Sequence, residues 1–212
     1  MNRTELTHLF IAVIMFTIIG ALSFIFKGDI IIVIQVFLFS IIIIVFSVFA
    51  KKLIAYSLDA NVEHKIWGVY RYGFREHNHF KKEAPAGIFL PLFFSIFTLG
   101  LIKIPAFLTY ETRALKSRAA KRFGFYSYSE MTDWHNGLIG AAGIVMVLLI
   151  SFVGYLLGYE YLAKLAAYYA FFNMIPISNL DGTQILFGSR VIWTALALVC
   201  VIFTAYALLL GI

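Results

Sequence analysis

Asn173, Pro176, Leu180, Asp181 and Gly182 close an apolar run in the stretch Phe171-Phe172-Asn173-Met174-Ile175-Pro176-Ile177-Ser178-Asn179-Leu180-Asp181-Gly182. An amide and a carboxylate where hydrocarbon is expected mark a functional site by default, because each must be satisfied by protein or by a ligand. A carboxylate here can hold a cation, and the amide can both donate and accept. Pro176 lacks a backbone donor and ends the helix, and Asp181-Gly182 reads as a turn pair, so Asn173 would face inward. The plainer reading of the same residues is a Pro-broken span with an Asp-Gly exit turn.

The remaining metal-ligating side chains are sparse. The five histidines are His8, His64, His77, His79 and His135. None belongs to an H-E-x-x-H helix, in which an i, i+4 spacing sets two imidazoles on one face and the Glu activates a metal-bound water. Glu76-His77-Asn78-His79 could chelate from an extended segment but not from a helical face. Among Arg75, Lys81 and Lys82 it reads more simply as a solvated basic loop. His135 follows Trp134 at an interface, and Glu63, His64 and Trp67 read as loop packing. Cys200 has no partner for a disulfide.

The elements that must position these groups are membrane spans. The chain has 212 residues, 62% of them hydrophobic and only 13% charged, which is too apolar for a soluble domain. One membrane domain, 1–212, is expected. Crossing ~30 Å of hydrocarbon takes ~20 helical residues, and such runs occur at about Leu9 to Phe26, Ile30 to Ala50, Gly137 to Gly158 and Val191 to Ile212. The N-terminal run lacks a small-residue cleavage site and reads as a retained span. A shorter run, Leu162 to Ile177, stops at Pro176. The segment 84–110 is interrupted by Pro85, Pro91, Gly100, Lys103 and Pro105. If it dips into the membrane and returns, the loops 51–83 and 111–136 share one side with 14 of the 17 Lys and Arg. The positive-inside rule then makes the N-terminus and both basic loops cytoplasmic. The net charge of +6 is thereby assigned to lipid headgroups rather than nucleic acid.

The spacing N-x-x-P-x-x-x-L-D-G at Asn173, Pro176, Leu180, Asp181 and Gly182 resembles the late signature of the site-2 protease family of intramembrane zinc metallopeptidases. In that family the Asp is the third metal ligand. Lys52, Leu53, Ile54, Ala55, Glu63 and Trp67 resemble the layout that follows the second metal-binding His in archaeal members. In this register Ser47 and Lys51 occupy the two His positions and Val48 the Glu position. Gly140-Ala141-Ala142-Gly143-Ile144-Val145-Met146 is similar to the family's A-G-P-x-x-N segment, with Ile144 in place of Pro. The resemblance covers about 30–67 and 137–193. It implies an all-α membrane protein, a polytopic bundle of five to six membrane segments with one re-entrant or broken segment.

The same resemblance implies a retained fold without its chemistry. Ser is a poor zinc ligand, Val moves no proton, and an ammonium repels a divalent cation. The chain is expected to bind or regulate segments of other membrane proteins without cutting them, with lipids as its other partners and no cofactor. The alternative is an active zinc peptidase with divergent ligands, Asp181 acting with His77, His79 or His64. A Lys51–Asp181 ion pair in place of the metal is one expectation, since a buried charge must be paired. Equally open is a Lys51 that reaches the headgroups while Asp181 caps a turn.

Overall fold

Two helical hairpins organise the chain, and the same backbone device closes both. The computed structural model describes residues 2–71, 79–115 and 131–209. Helices α1 (Arg3–Lys27) and α2 (Ile30–Ser57) turn at Gly28, whose left-handed φ of 79° lets its N–H reach the Ile25 carbonyl while Asp29 N–H reaches Phe24. Helices α4 (Asp133–Leu156) and α5 (Glu160–Met174) turn at Gly158, φ 78°, with Tyr159 N–H on the Gly154 carbonyl. Such a turn satisfies the last carbonyls of an apolar helix without water. A short helix α6 (Asp181–Gly188) and a long α7 (Arg190–Leu209) complete the chain.

Four helices, α1, α2, α4 and α7, are long and apolar enough to cross a membrane, with 25, 28, 24 and 20 residues. Their outer faces carry Ile31 and Leu38 on α2 and Leu198 and Leu209 on α7, all exposed. That surface suits lipid, not water. The chain is therefore read as an integral membrane protein with four such helices among the described residues, fewer than the five to six segments expected. The fifth apolar run, α5, has only 15 residues and is enclosed by protein, with Leu162 through Ala170 all buried. The second span is longer than the expected Ile30 to Ala50: helix continues to Ser57, so Lys51 and Lys52 lie on the helix rather than in a loop.

The protein is mostly helical, as expected, and the stretches read as loops hold two small two-stranded sheets among the described residues. Strand β1 (Ala60–Ile66) pairs antiparallel with β4 (Leu108–Ala114), in a register that sets His64 opposite Tyr110. Strand β2 (Val69–Arg71) pairs with β3 (His79–Ala84). Along β1, Ala60, Val62 and His64 point inward and Asn61 outward, the period of a half-buried strand.

Between β3 and β4 the interrupted segment doubles back. Helix α3 (Ala86–Phe97) leads away from the sheets, and residues 98–107 return beside it. The two ends meet at Trp67, whose carbonyl accepts from Gly87 N–H and whose N–H donates to Phe107 O, each at 2.8 Å. At the far end Gly100, φ 83°, abuts Ser23 of α1; a Cβ there would stand 3.2 Å from the Ser23 nitrogen. The segment is therefore a hairpin rather than one straight helix.

Candidate functional site

The buried stripe of α2 carries a lysine into the protein. Val36, Ser40, Ile43, Ile44, Ser47, Lys51 and Ala55 are all buried, at the spacing of one helical face. Lys51, 1% exposed, extends from that stripe to Asp181, the first residue of α6 and 0% exposed. Its Nζ lies 2.6 Å from Asp181 Oδ2. The expected ion pair is thus present, and Lys51 does not reach the headgroups. Asp181 Oδ1 makes no hydrogen bond among the described residues. Two charges taken so completely out of water are held by each other's field and by little else.

Helix α4 makes the room. Gly137, Gly140 and Gly143 recur every three residues along it. A Cβ on Gly143 would fall 2.4 Å from Lys51 Cε, and one on Gly140 would fall 2.6 Å from the Tyr110 hydroxyl. Gly137 meets Gly188 of α6, where a Cβ would stand 3.1 Å from the opposing Cα. Gly140 and Gly143, singled out in sequence, and Gly137 one turn earlier thus admit three different neighbours on one face. The Tyr110 ring lies beneath Lys51 Nζ, 4.8 Å from its centroid, and its hydroxyl donates to the Asn136 carbonyl at 2.6 Å. Burial, with the Asp181 charge second, pushes the Tyr110 phenol well above its ordinary range. It stays a neutral donor.

Each member of the Asn173 to Gly182 pattern has a local task. Asn173 faces inward as expected and is 0% exposed. Its Nδ2 donates to Tyr169 O at 2.8 Å and Pro105 O at 3.1 Å, while Oδ1 has no hydrogen bond among the described residues. It ties α5 to the arm that runs back from α3 to β4. Pro176 follows Ile175, which is extended at ψ 129°, as the residue before a proline should be. Leu180 is buried with Trp67, Ala86 and Ala106. A Cβ on Gly182 would sit 2.0 Å from the Met174 carbonyl oxygen, so only glycine fits. Asp181-Gly182 opens helix α6 rather than forming an exit turn, a correction to the turn-pair reading: the turn lies upstream, at Ser178 with φ 51°.

The other two positions on α2 behave differently. Ser47 is 1% exposed and hydrogen-bonds Tyr169 of α5, one helical turn from Lys51. Val48, 8% exposed, lines an apolar groove against Leu9 and Val13 of α1. Of the three, Lys51 is the one that pairs with Asp181.

His64 is committed elsewhere. It is 2% exposed, with Nδ1 3.1 Å and backbone N–H 3.3 Å from Glu5 Oε1. Lys52 Nζ completes the Glu5 carboxylate at 2.7 and 2.8 Å from its two oxygens. Burial pushes the His64 imidazole down to about 4, with the Lys51 and Lys52 charges acting in the same direction and Glu5 opposing them. This Glu5–His64–Lys52 cluster was not anticipated: nothing in Met-Asn-Arg-Thr-Glu marks Glu5 as buried, and its partners lie 47 and 59 residues away. His77 lies outside the described residues. His79 opens β3, and Asp181 belongs to α6. Among the described residues no three His, Cys, Asp or Glu side chains converge.

A polar cavity of about 500 Å³ is lined in part by Tyr110, whose ring lies beneath Lys51, and by Thr183 of α6; neither Lys51 nor Asp181 lines it. Its walls include Thr109 and Glu111 of β4, Asn136 of α4, and Asn179 and Gln184 around α6. One edge of β4 is taken by β1. The other faces this cavity, and no described strand occupies it. There Gln184 Nε2 donates to Tyr110 O at 3.1 Å, and the Thr109 hydroxyl donates to Asn179 O. Comparison with protein-family models, with curated proteins and with solved structures yields no match to this chain.

Proposed function

We propose that this chain is a site-2-protease-like membrane protein without protease activity, which holds a segment of another membrane protein rather than hydrolysing it. The observation that carries the reading is the Lys51–Asp181 pair. Asp181 stands where the resemblance puts a metal-binding carboxylate, and its 2.6 Å neighbour is an ammonium. A cation cannot share that carboxylate with zinc without strong repulsion, and Ser47 and Val48 bring neither an imidazole nor a base.

The binding half rests on the cavity along β4. An extended segment lying along the outer edge of β4 would find main-chain groups and the side chains of Asn136, Asn179 and Gln184. An unwound stretch of a membrane helix needs such partners, because lipid offers none. With the N-terminus and basic loops on the cytoplasmic side, as the Lys and Arg distribution favours, the cavity and the strands face the cytoplasm, and Asp181 lies buried at the same end.

Two measurements test the two halves. Metal analysis of protein purified from zinc-supplied cells is expected to give far less than one zinc per chain; stoichiometric zinc that disappears in Asp181→Ala overturns the reading. A photo-crosslinking amino acid at the exposed Asn179 is expected to capture intact membrane polypeptides. Adducts with lipid alone, or cleaved products, count against it.

A further inference from the structure

The ladder between β1 and β4 fixes which main-chain groups of β4 are left for the cavity. At one end of it Trp67 N–H donates to Phe107 O, and at the other Leu115 N–H donates to Asp59 O at 3.0 Å. Both pairs continue the register that runs from Ala60 opposite Ala114 to Ile66 opposite Leu108. In an antiparallel pair, residues that exchange hydrogen bonds alternate with residues that do not. Thr109, Glu111 and Arg113 therefore direct their N–H and C=O groups to β1, and Tyr110 and Thr112 turn theirs to the outer edge.

One of these outer groups is already engaged, by a side chain. The Tyr110 carbonyl accepts from Gln184 Nε2 at 3.1 Å. A carboxamide carries the same donor and acceptor as a peptide group, so Gln184 stands where the N–H of an added strand would stand. It comes from α6, one turn after Asp181. Gln184 is half-buried and lines the cavity with Asn179 and the exposed Phe187. Unlike a ladder bond to β1, its bond can be exchanged without unpairing a strand: the side chain turns about its own torsions, and water in the cavity takes up the freed amide.

The occupant this edge fits is a polypeptide in extended conformation. Tyr110 and Thr112 are two residues apart, the interval at which a strand presents successive main-chain groups to one side. We infer that Gln184 is a stand-in for the guest: its carboxamide closes the β4 edge at Tyr110 until an extended segment of another membrane protein displaces it and pairs with Tyr110 and Thr112. This inference rests on the binding role proposed above and adds to it the group that controls entry. A segment with an N–H at the matching position replaces the bond it breaks, and one with proline there does not.

Photo-crosslinking from position 179 in cell membranes tests the two separately. Wild type is expected to give adducts with membrane polypeptides. Gln184→Leu, which keeps most of the side chain's bulk and loses its donor, should raise their yield about fivefold, the worth of one net hydrogen bond. Gln184→Ala should give the same rise. A yield unchanged or lowered in both variants, while wild type still forms adducts, overturns the stand-in role and leaves the binding role in place. A rise in Gln184→Ala alone means that bulk rather than the hydrogen bond closes the edge, and it overturns the inference as well. No polypeptide adduct in wild type or either variant overturns both. A rise of equal size with the crosslinker at the exposed Phe97, the last residue of α3, reveals general loosening of the fold and likewise counts against the inference.

Discussion

Replacing Lys51 with Met removes one charge and keeps most of the apolar shaft that runs past Gly143. The carboxylate of Asp181 would remain at 0% exposure, with Oδ1 already lacking a hydrogen bond and Oδ2 now losing its ammonium at 2.6 Å. Breaking a buried pair from one side costs about 3–5 kcal/mol. Asp181 limits that cost by taking up a proton. Its folded pKa then lies above its unfolded one, so the loss is present at pH above the folded value and shrinks as pH falls through it. Lys51→Met is accordingly expected to be more damaging at pH 8 than at pH 5. Asp181→Ala strands the ammonium and costs a comparable amount. The double variant buries no charge, so it should be more stable than the sum of the singles by about 3 kcal/mol, the upper end for directly contacting residues. Unfolding in mixed micelles of rising sodium dodecyl sulfate content, followed by tryptophan fluorescence, reads all four species of the cycle. Additivity to within about 0.5 kcal/mol would mean that the two side chains do not depend on each other, and would refute the ion pair as the tie between α2 and α6.

Gly143→Ala puts a methyl 2.4 Å from Lys51 Cε, a flexible neighbour that can move only by loosening its ion pair; a cost of about 1–3 kcal/mol is expected, vanishing in a Lys51→Ala background. Gly182→Ala meets backbone, the Met174 carbonyl at 2.0 Å, which cannot yield, so a loss of about 3 kcal/mol or more, or no folded protein on size-exclusion chromatography, is expected. His64 is held neutral by the fold, with a folded pKa of about 4 against 6.5 for an ordinary histidine. The unfolded chain therefore binds the extra proton first, and stability should fall by about 3 kcal/mol as pH drops from 6.5 to 4; His64→Asn, which keeps a donor toward Glu5, should flatten that part of the profile measured by thermal unfolding.

Charges in apolar runs were the most legible part of this chain. Lys51 and Asp181 stand at the ends of hydrophobic segments, and the cost of leaving either alone made their pairing one of two equal expectations, the other being a Lys51 that reaches the headgroups. The break in 84–110 was readable for a similar reason, since Pro91, Gly100 and Pro105 spoil a straight helix. The strands were not read. Ala60–Ile66 alternates in burial, yet its composition is that of a loop and its pairing partner begins 42 residues further on, at Leu108. Pairing of that range leaves no local mark. The Glu5–His64–Lys52 cluster was hidden likewise, because a single acid in a polar N-terminus looks the same whether solvated or enclosed. Nor did the small residues of α4 declare what they admit: spacing announces a close approach but not whether helix, phenol or lysine makes it.

The contact between Gly182 and the Met174 carbonyl closes the segment from Asn173 to Asp181 upon itself. Asn173 and Asp181 are thereby carried as one cassette, anchored by Trp193 Nε1 on the same Met174 carbonyl at 3.2 Å and by Leu180 beside Trp67. The opposing half of the centre comes from a single face of a straight helix, α2. The acceptor is a carboxylate on a segment closed by its own backbone and the donor is one side chain on α2, so a substitution at position 51 can redefine what Asp181 holds while the cassette remains unchanged.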